Sequence, residues 1–483
     1  MDVFITKRLQ RLAQEGGDGP SLRRHLGPFG LIALGIGMIV GAGLFSLTGI
    51  AAAENAGPAV TLSFLVAAVG CAFAGMCYSE LATMIPVAGS AYTYAYATLG
   101  ELVAWIIGWD LVLEYAVGAS AVAVSWSRYA LSLLHDLGIA FPARLAAGPF
   151  EAVKLAGGGA VAGDINLPAI FVIVALSLLL MRGIRESSRV NNAIVIVKLA
   201  IVAIFIAVGI AYIDPRNYTP FIPANTGAFG AYGWSGVLRG AGVIFFAYIG
   251  FDAVSTAAQE TKNPQRTLPI GILGSLAICT VLYIAFALVL TGMVNYAAMK
   301  GDAAPVATAI DLTPYHWLQL LIKLGILCGF TSVILVALLG QSRIAFSMAE
   351  DGLLPPILAR IHPRWRTPWF ANLLFMVFGG LLAGFVPISL LAHMTSIGTL
   401  LAFVIVCAGV MALRRSRPDL PRPYRTPWVP LVPILGILTC ATMMYSLGPD
   451  NWWRLVIWLV IGLAIYFGYG RARSRAQQRA AAR

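Results

Sequence analysis

The sequence predicts an all-α integral membrane protein of twelve transmembrane helices, and three observations predict it. The hydrophobic set makes up 59% of the 483 residues and charged residues only 11%, with a mean hydropathy of +0.82. The apolar residues gather in runs of roughly 20, enough for one crossing each. Basic residues gather in alternate connections between those runs. Soluble domains carry about 25% charged residues, and a globular core cannot hide this much apolar surface from water. Lipid is therefore the solvent. A single soluble domain, a secreted disulfide scaffold and a disordered chain are excluded.

The spans fall near 29–53, 58–84, 100–134, 167–182, 190–212 and 237–260, then near 267–295, 317–348, 369–386, 390–413, 429–447 and 452–470. With the N-terminus inside, both tails and alternate loops are cytoplasmic. Those segments hold Lys7, Arg8, Arg11, Arg23, Arg24, Arg182, Arg185, Arg189, Lys262, Arg266, Arg343, Arg360, Arg364 and Arg366. They also hold Arg414, Arg415, Arg417, Arg422, Arg425, Arg471, Arg473, Arg475, Arg479 and Arg483, making 24 of the 33 basic residues. The net charge of +12 is thus a topology signal under the positive-inside rule and no nucleic-acid partner is expected.

Cys71, Cys77, Cys279, Cys328, Cys407 and Cys440 lie in apolar spans as small hydrophobes, with no CxxC pair. The five histidines are dispersed without metal-ligand spacing, so no metal site and no cofactor is expected. The first 25 residues are polar, so no cleavable signal peptide is expected, and the first span inserts the chain. Gly157, Gly158 and Gly159 make part of the external loop near 135–166 flexible. Pro418, Pro421, Pro423, Pro427, Pro430 and Pro433 read as a stiff connector that separates ten helices from a terminal pair.

Two spans carry interruptions. The first contains GIGMIVGAGLF, with Gly35, Gly37, Gly41 and Gly43, and the sixth contains FFAYIGFDAVSTAAQE, with Gly250 beside Asp252. A glycine costs about 1 kcal/mol against alanine in a helix interior, and a membrane-embedded Asp costs more. The glycines alone fit close packing, since Gly37 and Gly41 form a GxxxG, as well as they fit unwinding. Position tips the reading: the anomalies sit five helices apart, at corresponding places of two halves, which is the pattern of a transporter binding site. A dinucleotide loop is excluded because no strand precedes the glycines.

A break at midplane exposes a half-helix N-terminus with unpaired N–H groups and partial positive charge. In the first helix these donors are Gly41, Ala42, Gly43 and Leu44, ready for a carboxylate. Carbonyls around Ile39 and in the sixth helix are acceptors for an ammonium. Phe246, Ala247 and Ile249 line the side-chain pocket, with Phe246 either a lid or plain packing.

The runs GIGMIVGAGLF, FFAYIGFDAVSTAAQETKNPQRTLPIGI and GQSRIAFSMAEDGLLPPILARIHPRWRTPW, in this order, resemble the amino acid–polyamine–organocation superfamily. Within it the chain is most similar to bacterial members of the cationic amino acid transporter family and to ApcT-like members. The resemblance covers essentially all twelve spans. It implies a LeuT-type fold of 5+5 inverted repeats with helices one and six broken, amino acid transport, and a substrate site at the backbone positions named above. The organisation is then a cytoplasmic segment 1–28, a first repeat 29–213, a second repeat 237–413, a terminal helix pair 429–470 and a basic cytoplasmic tail 471–483.

Lys198 lies in NNAIVIVKLAIVAIF, about three residues or roughly 4–5 Å from the centre of the fifth span. A lysine there costs several kcal/mol unless it is paired or neutral, so it can exchange a proton. The alternative is a side chain snorkelling to the cytoplasmic surface. ApcT-like members carry a lysine at the matching place, which implies a proton-coupling role. Its expected acceptors are carbonyls near the first break and the hydroxyls of Thr331 and Ser332.

Asp110 and Glu114 are four apart on one helix face. Glu114 matches a family glutamate near the substrate; it contacts a substrate amine, closes an internal gate, or bonds neighbouring helices. Asp110 reads as structural. Asp252 caps the second half of the sixth helix or touches the ligand, and Ile334 limits side-chain size. No catalytic constellation and no pore ring is present, so the chain is expected to be no enzyme and no channel. The expected function is proton-coupled L-amino acid symport by alternating access across a bacterial inner membrane, with both termini cytoplasmic. An exchanger, a cationic amino acid permease and a non-transporting sensor are the alternatives.

Overall fold

A computed structural model describes residues 27–84, 91–154, 160–183, 188–252, 254–255, 261–302, 304–475 and 477–478. The expectations for Lys7, Arg8, Arg11, Arg23, Arg24, Arg185, Arg479, Arg483 and Gly157, Gly158 and Gly159 fall outside the described residues. In chain order the helices are α1 (Pro28–Ile39), α2 (residues 43–56), α3 (Val60–Met84), α4 (Ala91–Thr98), α5 (Glu101–Asp136), α6 (Leu167–Met181), α7 (Ser188–Gly209) and α8 (Gly233–Ile244). They continue as α9 (Pro264–Met293), α10 (Pro305–Asp311), α11 (His316–Glu350), α12 (Trp369–Phe385), α13 (Ile388–Ser416), α14 (Leu431–Ser446) and α15 (Pro449–Arg473).

The fold is all-α. Seven of the described helical stretches are long and apolar enough to cross a membrane, and four shorter apolar helices accompany them. Their outward faces carry large apolar side chains such as Phe171, Ile196, Val281, Val377, Leu438 and Ile457. Water would penalise such a surface and a bilayer does not. Lipid demands that helices satisfy their backbone internally, and helix ends here use local chemistry. At the start of α6, for example, the Asn166 side chain accepts from the Ala169 amide at 3.2 Å while Pro168 occupies the first turn.

α9 packs on α3 and α1, and α8 also lies on α3. α11 packs on α5, α12 on α6, and α6 and α12 both touch α5. α7 bridges the two groups through α1, α9 and α11. The broken segments thus lie in one group of helices, facing the other.

The proline-rich connector is clasped. Glu80, buried at the end of α3, accepts from Arg414 Nε and Nη2 of α13 at 3.0 and 2.7 Å. It also accepts from the Thr426 amide at 2.8 Å, inside the connector. A planar guanidinium meeting a carboxylate through two nitrogens is the strong form of ion pair. α15 is seated on α5 by indoles: Trp109 and Trp458 stack at 4.5 Å, and Trp105 Nε1 donates to the Gly462 carbonyl at 2.9 Å. In the connection after α5, β1 (Ala152–Lys154) pairs antiparallel with β2 (Ala160–Ala162), a small hairpin that the sequence reading left out.

Candidate functional site

The first interruption lies at Val40, whose backbone is extended (φ −75°, ψ 104°) after its amide closes α1 on the Ile36 carbonyl at 2.9 Å. The chain resumes as a π-helical turn over Gly43–Leu47. The Leu44 and Phe45 amides both turn back to the Gly41 carbonyl, at 3.1 and 3.2 Å. Of the four donors read from the sequence, Leu44 is therefore spent locally, while Gly41, Ala42 and Gly43 head the second half-helix. The second interruption begins where α8 gives way to a 3-10 turn over Phe245–Tyr248. Ile249 is then extended and Gly250 adopts φ +112°, a conformation open to glycine.

These two breaks touch. A Cβ placed on Gly43 would lie 2.2 Å from the Ala247 Cα and 2.7 Å from its nitrogen. Only a residue without a side chain permits that approach. Tyr283, from α9, joins the same two segments: its hydroxyl lies 2.8 Å from the Ile39 carbonyl and 3.0 Å from the Ala247 carbonyl. The hydroxyl has one proton for two acceptors, so the pair of carbonyls retains capacity for a further donor such as an ammonium.

Lys198 is buried, 1% exposed, and its Nζ donates to the Gly37 carbonyl of α1 at 2.7 Å. The side chain points into the protein and ties α7 to the helix that ends at the first break. Gly329 of α11 makes room for it: a Cβ there would fall 3.1 Å from Lys198 Cε. Thr331 accepts from Trp126 Nε1 at 3.1 Å and donates to the Leu327 carbonyl at 2.8 Å, and Ser332 is buried beside it in sequence.

Residues 26–466 match the amino acid permease family. The chain belongs to that family, within the amino acid–polyamine–organocation superfamily. The permease is 45% identical over 479 residues to a branched-chain amino acid permease of Bacillus subtilis (strain 168), with 99% of each chain covered. It is 43% identical over 474 residues to the methylthioribose transporter of the same organism, with 98% of each covered. To the chloroplastic cationic amino acid transporter 9 of Arabidopsis thaliana it is 40% identical over 400 residues, 82% of this chain and 67% of that one. It is accordingly a multi-pass membrane protein.

The permease brings its apolar candidates to the same region. Phe246 is nearly buried, with its ring edge 4.0 Å from where a Gly118 Cβ would stand on α5. Ile249 is half-buried, while Ala247 and Ile334 are buried. Val333, next to Ile334, faces Gly41. Glu114 lies one turn from Gly118, inside another π-helical turn, Leu113–Val117. Its Oε2 accepts from Thr399 of α13 at 3.3 Å, and its Oε1 has no hydrogen-bond partner among the described residues. Asp110, a further turn along, is buried, and neither of its oxygens has a partner among the described residues. Asp252 is buried beside the second break; the segment that it is expected to cap includes residues 256–260, outside the described residues.

Tyr283 and Gly329 escaped the sequence reading. A tyrosine inside an apolar span signals only that its hydroxyl will need a partner when buried. Which carbonyls it meets depends on residues 244 and 36 positions away.

Proposed function

We propose that this permease is a secondary active transporter of neutral aliphatic L-amino acids, working by alternating access and coupled to protons through Lys198. The observation that carries the reading is the 2.7 Å bond from Lys198 Nζ to the Gly37 carbonyl. A buried ammonium donates there, and loss of its proton weakens the bond by removing the charge that strengthens it. The end of α1 leading into the first break is thereby sensitive to the protonation of one amine. A substrate carboxylate takes the Gly41, Ala42 and Gly43 amides, and its ammonium takes the carbonyls of Ile39 and Ala247. Phe246, Ile249 and Ile334 supply an apolar wall for the side chain, which favours an aliphatic substrate; the name of the Bacillus subtilis permease at 45% identity supports the same choice.

A LeuT-type 5+5 repeat is supported by which helices touch. α3 meets α9, α5 meets α11 and α6 meets α12, each pair five crossings apart in the order read from the sequence. Partners related by a pseudo-two-fold axis in the membrane plane meet in this way. The basic connections support a bacterial inner membrane with both termini in the cytoplasm. Cationic substrate transport is the second reading, favoured by the Oε1 of Glu114, which has no hydrogen-bond partner among the described residues.

The test is uptake of labelled leucine, alanine and arginine into proteoliposomes without sodium, with and without an inward proton gradient, and with methylthioribose as competitor. Leucine or alanine accumulation driven by the gradient, and its loss in Lys198→Ala, is the expected result. Uptake only into vesicles preloaded with amino acid makes the protein an exchanger and overturns the coupling role. Proton-driven accumulation by Lys198→Ala overturns it as well.

A further inference from the structure

On the face opposite β1 and β2, two acidic residues, buried Glu101 and half-buried Asp351, each hold one tyrosine of α4 and are bonded by the C-terminal segment. Glu101, at the start of α5, is fully buried. Its Oε2 accepts from Tyr96 of α4 at 2.7 Å and from Ser474, and its Oε1 accepts from Tyr466 at 3.0 Å and from Gln477 Nε2 at 3.4 Å. Asp351, just past α11, accepts from Tyr92 of α4 through Oδ2 at 2.7 Å, while its carbonyl accepts from the Arg475 amide at 3.0 Å. The chain seats here closely: Gly352, at φ +83°, lies directly against the Arg473 carbonyl. Ser474 and Gln477 are 0% and 1% exposed.

α4 is also connected to the substrate region. Tyr94 of α4 packs edge-on against Tyr78 of α3 at 6.0 Å, and Tyr78 packs against Phe251 at 6.3 Å, next to Gly250 in the second break. Movement of that break toward an open form must displace this aromatic row, and α4 with it. The acidic groups that fix α4 are the ones the C-terminal segment covers.

We propose that residues 471–475, with Gln477 and Gln478, form a strap that holds α4 in place and restrains opening of the permease toward the face that carries Glu101. Undocking the strap removes two donors from the Glu101 carboxylate and one from the Asp351 backbone carbonyl, which loosens the two segments that hold Tyr96 and Tyr92. A docked strap therefore biases a two-state element, and the cytoplasmic end of the chain sets the rate of opening. The inference rests on the broken-helix permease reading but not on which substrate is carried.

The test uses the full chain with Cys328→Ser, because Cys328 is the exposed cysteine among the six, and with Met38→Cys as a reporter. Met38 is half-buried in α1 and faces Gly250. A membrane-impermeant maleimide is applied to each face of reconstituted vesicles separately. Ser474→Asp sets a second carboxylate against Glu101 and expels the strap without deleting a residue. The expected result is labelling from the Glu101 face about fivefold faster or more, the lower end of ordinary coupling energies. Ser474→Ala with Gln477→Ala, which removes the two side-chain donors without adding charge, is expected to move labelling in the same direction by less. Labelling unchanged in both variants overturns the proposal, most directly where a lowered unfolding temperature shows that the strap has been displaced. Labelling needs no substrate, so that failure leaves the substrate reading standing, and failed leucine uptake leaves the strap standing.

Discussion

Gly43 and Ala247 meet backbone to backbone, so the two interrupted helices share a contact that a single methyl group would break. Gly41, two residues earlier in the same motif, is different: a Cβ there would sit 3.4 Å from Val333 Cγ2, an ordinary contact.

The two glycines therefore separate close packing from general helix breaking. Gly41→Ala is expected to fold with nearly unchanged thermal stability. Gly43→Ala overpacks a backbone, and overpacking costs about 1–3 kcal/mol even where side chains can shift. It is expected to unfold at lower temperature and to lose most uptake, and Gly43→Val to lose all of it. Equal unfolding temperatures for the two alanine variants would show that the breaks separate freely.

The parts of this site legible in the sequence are those that violate a local rule. Glycines in the run 35–43 and at Gly250 are wrong for a helix interior, and Lys198 and Asp252 are wrong for lipid, so each stands out without any knowledge of the fold. The carbonyl that Lys198 meets is 161 residues away, and no local pattern names it. Tyr283 breaks no rule, since tyrosine is an ordinary residue of an apolar span. The π-helical turns at Gly43–Leu47 and Leu113–Val117 shift a hydrogen-bond ladder by one residue, a backbone choice that leaves no compositional mark. Likewise the prolines after Arg417 signal a stiff connector, but its clasp depends on Glu80, 346 residues before Thr426.

Tyr283 supplies a hydroxyl that lies between a backbone carbonyl of the first break and one of the second. Tyr283→Phe keeps the ring and removes that donor, leaving both carbonyls short of a partner at a cost of about 1–3 kcal/mol. A substrate ammonium, with three donors, can satisfy both. The expected outcome is a lower unfolding temperature without substrate and a larger upward shift on adding leucine than the unsubstituted chain shows. A shift no larger than that of the unsubstituted chain would separate Tyr283 from the ammonium site.

On the other side of the protein, α10 is held by Lys323, which is fully buried on α11 and lies 2.6 Å from Asp136 and 2.9 Å from Asp311. Burial raises the Asp311 carboxyl above the usual carboxylate range, while the Lys323 ammonium pulls it back, Asp136 raises it and His135 lowers it. A carboxyl raised in the folded state favours folding while it is protonated, and that contribution fades as pH rises through its folded pKa. The Asp311 side chain is 42% exposed, so solvent screening keeps the effect small. Against Asp311→Asn, whose amide does not titrate, the unsubstituted chain is expected to lose relative stability as pH rises above about 4, the ordinary Asp value. Thermal unfolding of both chains across that range measures the difference. A difference that grows in favour of the carboxylate as pH rises would mean that attraction to Lys323 outweighs burial, and that α10 is held by charge.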